Sequence, residues 1–169
     1  MNDSSYEKLN QLLKLYPHAW GKRRLRRDGK GRFLRYFEDC RALIHENLRQ
    51  VLQQEARYEE AVPHAILAET YSCRIDNRIY AYLKKKWDGK EKPERPDLYT
   101  EWKNFRTLKE LNVDFEEFPE LKSTESLLQA LRKTALLPML QSYAQKLSHD
   151  FKKSDSEVIA DVQQILQKL

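Results

Sequence analysis

PHAILAETYSCRIDNRIYAYLKKKW, residues 63–87, is the stretch whose reading decides the fold. Ile66 or Leu67, Tyr71, Ile75, Ile79, Tyr82 and Leu83 recur every three or four residues, with polar side chains between them. That spacing places the apolar groups on one face of a helix and leaves the other face wet. Pro63 suits the first position of such a helix, where its missing N–H has no partner to lose. The pattern stops near Trp87, so the expectation is one long amphipathic helix that others pack around.

Working outward, the same periodicity recurs on both sides. Upstream, residues 32–60 repeat Phe33, Phe37, Cys40, Ile44, Leu48 and Val51, with Leu34, Leu43 and Leu52 widening the stripe. This predicts a helix from Arg32 to about Glu60. Nearer the start, Ser4 and Glu7 form a capping box ahead of Tyr6, Leu9, Leu13 and Tyr16, and Pro17 ends that first helix. Downstream, residues 88–97 contain Gly89, Pro93 and Pro96 and read as a linker. Leu98, Trp102, Phe105 and Leu108 then mark a short helix with Asp97 as its N-cap. Residues 112–120 are acidic and irregular, with a short extended piece expected around Val113, Phe115 and Phe118. Ser123 or Thr124 would cap a further pattern through Leu127, Leu128, Leu131, Ala135, Met139, Tyr143, Leu147 and Phe151. Pro138 inside that run predicts a kink or two abutting helices. Ser154 and Glu157 make a second capping box before Val158, Val162, Ile165 and Leu169.

The expected fold is therefore all-α: a helical bundle of about five to six helices forming a single domain over residues 1–169. It has a basic, glycine-containing loop after the first helix and a Pro-rich linker near 88–97, where sub-lobes 1–87 and 98–169 would part. With only 4 glycines in 169 residues, a turn-rich β-sandwich or barrel is disfavoured. A chain of this length buries roughly 70% of its unfolded surface, enough for a core without metals or disulfides. Cys40 and Cys73 fall inside helical patterns and read as reduced core thiols of a cytoplasmic protein. The polar start Met1-Asn2-Asp3-Ser4-Ser5 carries no secretory signal, and no apolar run has the length of a membrane span.

Charge is distributed unevenly. Between Gly21 and Arg35 stand Lys22, Arg23, Arg24, Arg26, Arg27, Lys30, Arg32 and Arg35, opposed only by Asp28. That segment carries +7 against a chain total of +5, so everything outside it sums to −2. Arg presents a planar fork of donors that matches phosphate, which points to a polyanion and above all to a nucleic-acid backbone. Trp20 and Tyr36 flank the segment as candidates for base stacking, whereas Phe33 and Phe37 belong to the apolar stripe. Lys84, Lys85 and Lys86 form a second basic patch that would extend the track. The competing reading of either cluster is a solvated face whose cations pair with the protein's own acids.

Catalytic patterns are mostly missing. His18, His45, His64 and His149 fit no HExxH, CxxC or CxxH spacing, and no phosphate-cradling glycine motif or nucleophile elbow is present. The expectation is no enzyme activity, no metal and no cofactor. Arg41 and His45 share a helix face one turn apart. The pair is similar to the Arg…His signature of HEPN-type helical ribonucleases, in which both side chains surround a scissile phosphate. It departs from that signature in its shorter spacing and in Ala42, where the family often has a polar residue. A structural pair is the expectation.

In length, helical patterning and the basic stretch from Lys22 to Arg35 beside Trp20 and Tyr36, the chain resembles the small subunits of RNA-guided CRISPR effector complexes, the Cas11-type proteins. The resemblance covers the character of the whole chain and rests on no diagnostic motif. It implies a non-enzymatic subunit that binds RNA or DNA backbone without reading sequence. Such a subunit steadies a guide–target duplex or a displaced strand, alongside other protein subunits or further copies of itself. The rival class is a helical adaptor or regulator whose basic loop grips an acidic protein partner.

Overall fold

A computed structural model describes residues 6–11, 26–27, 33–34, 41–111, 120–150 and 152–169. The chain is an all-α helical bundle. Residues 6–11 are helical (α1). They are followed by α2 (Arg41–Gln54), α3 (Tyr58–Trp87), α4 (Pro96–Glu110), α5 (Lys122–Leu131), a 3-10 turn (Thr134–Leu136), α6 (Leu137–His149) and α7 (Asp155–Leu166). The helix expected from Arg32 instead begins at Arg41, because Arg26–Arg27 (β1) and Phe33–Leu34 (β2) pair antiparallel, with Arg27 opposite Phe33. A short apolar run fits either period, and here strand pairing takes it.

The central helix α3 is 30 residues long, about 45 Å at the standard rise. Its first half and its second half face different neighbours. Around the first half, α2, α5, α6 and α7 assemble the main core from Leu52, Val62, Ile66, Leu67, Leu127, Leu128, Leu140, Val158 and Val162, among others. Around the second half, Leu83, Trp87 and Phe105 form a smaller core with Ile79, Leu98 and Trp102 packed against it, so α3 and α4 make an arm. The linker residues 88–95 join the two helices of this arm.

Helix α3 starts at Tyr58, five residues before the position expected from Pro63, which therefore sits inside the helix. The break before it is a Schellman motif. Ala56 adopts φ 59°, its N–H bonds Gln53 C=O at 3.0 Å, and Arg57 N–H bonds Leu52 C=O at 2.8 Å. Helix α5 ends the same way at Arg132 (φ 57°), with bonds from Arg132 N–H to Gln129 C=O and from Lys133 N–H to Leu128 C=O. Neither position is glycine, so the usual sequence signal for such an end is missing.

Pro138 does separate two abutting helices, since it occupies the first turn of α6 after the 3-10 turn. That interruption shifts the phase of the stripe by one residue. Leu136, Leu140 and Ala144 are buried in place of Ala135 and Met139, which are exposed. Leu43, expected to widen the α2 stripe, is 60% exposed. The cap of α4 is Arg95 rather than Asp97, because Pro96 takes the first helical position. The cap of α5 is Leu121 rather than Ser123 or Thr124. Ser154 behaves as the capping box predicts, accepting from Glu157 N–H at 3.3 Å.

Among the described residues no helix is long and apolar enough to cross a membrane. Cys73 is half-buried, forms no disulfide among the described residues and accepts from Asn77 Nδ2 at 3.8 Å, and Cys40 lies outside the described residues. So do the Ser4 cap, Leu13, Tyr16, residues 112–119 and Phe151.

Candidate functional site

Three helices converge on one carboxylate. Asp155 is the first residue of α7, just after the Ser154 cap, where a negative charge is favoured by the helix dipole. Arg41 and His45, one turn apart on α2, both reach its Oδ2: Arg41 through Nη1, and His45 through Nε2 at 2.8 Å. Tyr71 of α3 donates its hydroxyl to Oδ1 at 2.5 Å. Two turns earlier on α3, His64 meets His45 with Nδ1 facing Nδ1 at 2.9 Å. The His45 ring also lies parallel to that of Tyr71, with centroids 5.8 Å apart.

The hydrogen-bond directions fix a consistent charge state. A carboxylate can only accept, so Arg41, Tyr71 and His45 Nε2–H all donate to Asp155. A neutral His45 that donates from Nε2 must accept at Nδ1, so His64 carries its proton on Nδ1. Burial lowers the pKa of His45 against the opposing pull of Asp155, and burial with the neighbouring His45 lowers that of His64 to about 3. Burial alone would raise Asp155, but its hydrogen bond from His45, together with Tyr71 and the Arg41 charge, holds it below the ordinary carboxylate range. The knot is thus one part-buried ion pair flanked by neutral donors. His45 is 0% exposed and Arg41 only 6%, so both side chains are turned into the fold toward Asp155. Chemically, the arrangement ties α2, α3 and α7 together.

A second polar contact joins α3 to α5. Glu69 accepts from Ser123 N–H at 3.2 Å and so supplies the start of α5 with a partner that its own sequence does not. Burial pushes this carboxyl up to about 8, against the Ser123 bond and Arg49, with Glu46 and Glu120 adding in the same direction as burial.

The arm carries the described part of the expected basic track. Lys84 and Lys85 are exposed at the end of α3 and make no ion pair among the described residues. Lys86 differs: its Nζ bonds Glu101 at 3.0 Å and lies 4.8 Å from the Trp87 ring centroid. Glu101 is only 5% exposed, so this pair fastens α4 to α3 and takes Lys86 out of the open track. On the same arm Tyr99 and Trp102 of α4 stack at 5.8 Å. Lys92 lies 4.3 Å over Tyr99, and Arg106 lies 5.5 Å over Trp102. The four side chains form a ladder of cation, ring, ring, cation.

Of the other residues expected to bind nucleic acid, Lys22, Arg23, Arg24, Lys30, Arg32, Arg35, Trp20 and Tyr36 lie outside the described residues. Arg26 and Arg27 are placed as strand β1 by their backbone. Sequence reasoning found the Arg41–His45 pair but not Asp155, 110 residues further along from His45. No local pattern links the two. Trp102 reads as part of the apolar stripe of α4, and it does pack against the small core, whereas Tyr99 lies outside that stripe and carries no signal of its own. Among the described residues no group of His, Cys, Asp or Glu is arranged to hold a metal ion. Comparison with protein-family models, with curated protein sequences and with solved structures finds no match to this chain.

Proposed function

We propose that this protein is a non-enzymatic helical subunit of a cytoplasmic ribonucleoprotein complex, binding nucleic-acid backbone without reading sequence. The observation that carries the reading is the +7 segment between Gly21 and Arg35, which leads within six residues to Arg41, the first residue of α2. A cationic run of that density has almost no local acids to neutralise it, so a string of phosphates is its natural counter-charge. The Arg41–Asp155 contact fastens the start of α2 to the start of α7. Lys84 and Lys85 supply further exposed charge on the arm. Support for a non-catalytic role comes from the enclosure of His45, which removes from contact the one Arg–His pair that invites a nuclease reading.

The resemblance to Cas11-type small subunits gives the proposal its finer form: a subunit, in several copies beside other proteins, steadying a guide–target duplex or a displaced strand. Reversing Arg23, Arg24, Arg26 and Arg27 to Glu tests the reading. Affinity for arbitrary single- and double-stranded oligonucleotides at low salt should disappear while the thermal midpoint stays nearly unchanged. Collapse of stability would make those arginines structural. Retention of an acidic protein partner with no oligonucleotide bound would favour the adaptor.

A further inference from the structure

The ladder on α4 has a consequence for the form of the nucleic acid. We infer that Tyr99 and Trp102 are a base-stacking platform, so that the arm takes unpaired nucleotides, RNA or DNA, in preference to duplex. The inference rests on the nucleic-acid binding proposed above and specifies the ligand of its arm.

The geometry supplies both halves of such a site. The two half-buried rings stack on each other at 5.8 Å, on a helix fixed to α3 by the buried Lys86–Glu101 pair and by Phe105 in the small core. They are therefore held in place rather than swinging on a loop. Lys92, a side chain on the exposed linker with no ion pair among the described residues, lies 4.3 Å over the Tyr99 ring. A cation over a ring that solvent still reaches is worth about 0.5–1 kcal/mol. A stacked base is worth about 1–3 kcal/mol. The base wins the ring face, and the displaced ammonium is released next to the phosphate that arrives with it. Exchange of this kind keeps the charge where the backbone runs. A duplex gains only the charge term, because its bases are already stacked on one another and offer no free face. Lys84 and Lys85 contribute equally to either form, since phosphates are common to both.

The test compares the full-length protein with its Tyr99→Ala, Tyr99→Phe and Lys84→Ala/Lys85→Ala variants. The probes are a labelled oligothymidylate and a mixed-sequence duplex of equal length. Tyr99 lies outside the small core, so its removal spares the fold, which far-UV circular dichroism checks. Tyr99→Ala should weaken oligothymidylate binding by about 5- to 150-fold. The same variant should leave duplex binding and the salt dependence of both unchanged, and Tyr99→Phe should restore affinity. The double lysine variant should weaken both probes and lower the single-strand salt slope by about 1.4. Equal losses on the two probes, or no loss from Tyr99→Ala, overturn the platform while leaving backbone binding intact. Failure of the unaltered protein to bind either probe at low salt overturns the proposed function, and the platform with it.

Discussion

Asp155 joins three helices, since Arg41 and His45 of α2 and Tyr71 of α3 all meet it at the start of α7. It pairs with Arg41 and takes hydrogen bonds from His45 and Tyr71, so its loss removes contacts to α2 and α3 at once. Breaking a buried pair from one side costs about 3–5 kcal/mol. Asp155→Asn should therefore lower unfolding stability by about that much in urea titration, with little change in slope. A loss under about 1 kcal/mol would mean that the pair is solvated and the knot is loose. The histidines set the acid limb. Both have pKa values lowered in the fold, so the unfolded chain binds protons first, and stability present above pH 6.5 falls as pH drops toward the folded value of about 3 for His64. Each contributes a slope of up to about 1.4 kcal/mol per pH unit. Glu69 works in the opposite sense. Its pKa is raised from 4.5 to about 8, so it stabilises fully below 4.5 and loses that contribution as pH rises through 8. The two histidines outweigh it below pH 6.5, and above that Glu69 leads, with the raised Cys73 thiol acting in the same sense at higher pH. Stability measured against pH should peak near 6.5, and His64→Gln should flatten the acid side. A steady rise from pH 6 to 9 would contradict this assignment.

At the scale of elements, the boundaries divide into those written locally and those that are not. The Ser154 cap, the Pro138 break and the linker at 88–97 were legible because a single residue type carries each signal. The end of α2 and the end of α5 were not, because Ala56 and Arg132 sit in left-handed conformations that glycine normally occupies. An L-residue there costs about 1–2 kcal/mol, part of which glycine returns to the unfolded chain as entropy. Arg132 is exposed, so Arg132→Gly should raise stability by about 0.5–1 kcal/mol in thermal or urea unfolding. A decrease would show that the Arg132 side chain contributes contacts of its own. The start of α5 was illegible for another reason. Its N–H partner is Glu69, far away in sequence, and no window around Ser123 contains it. The Asp155 knot is the same lesson with chemistry attached: two of its members were visible as a helical pair, and the residue that defines their role was not.

Taken whole, the molecule combines a neutralised interior with an unevenly charged exterior. The carboxylates of Asp155 and Glu101 are matched by Arg41 and Lys86, while Lys84 and Lys85 are exposed. The charge asymmetry was fully legible in the sequence, because composition requires no packing to read. The arm that presents Tyr99 and Trp102 was not, since Trp102 shares its spacing with core residues and Tyr99 sits beside that stripe without a pattern to mark it. The most direct measurement of the central claim is the affinity for unrelated oligonucleotides as a function of salt. The account predicts a straight fall of log affinity with log salt, about 0.7 units for each single-strand phosphate engaged, with several phosphates engaged and one slope for all sequences. A flat line, or a slope that changes with base sequence, would contradict it.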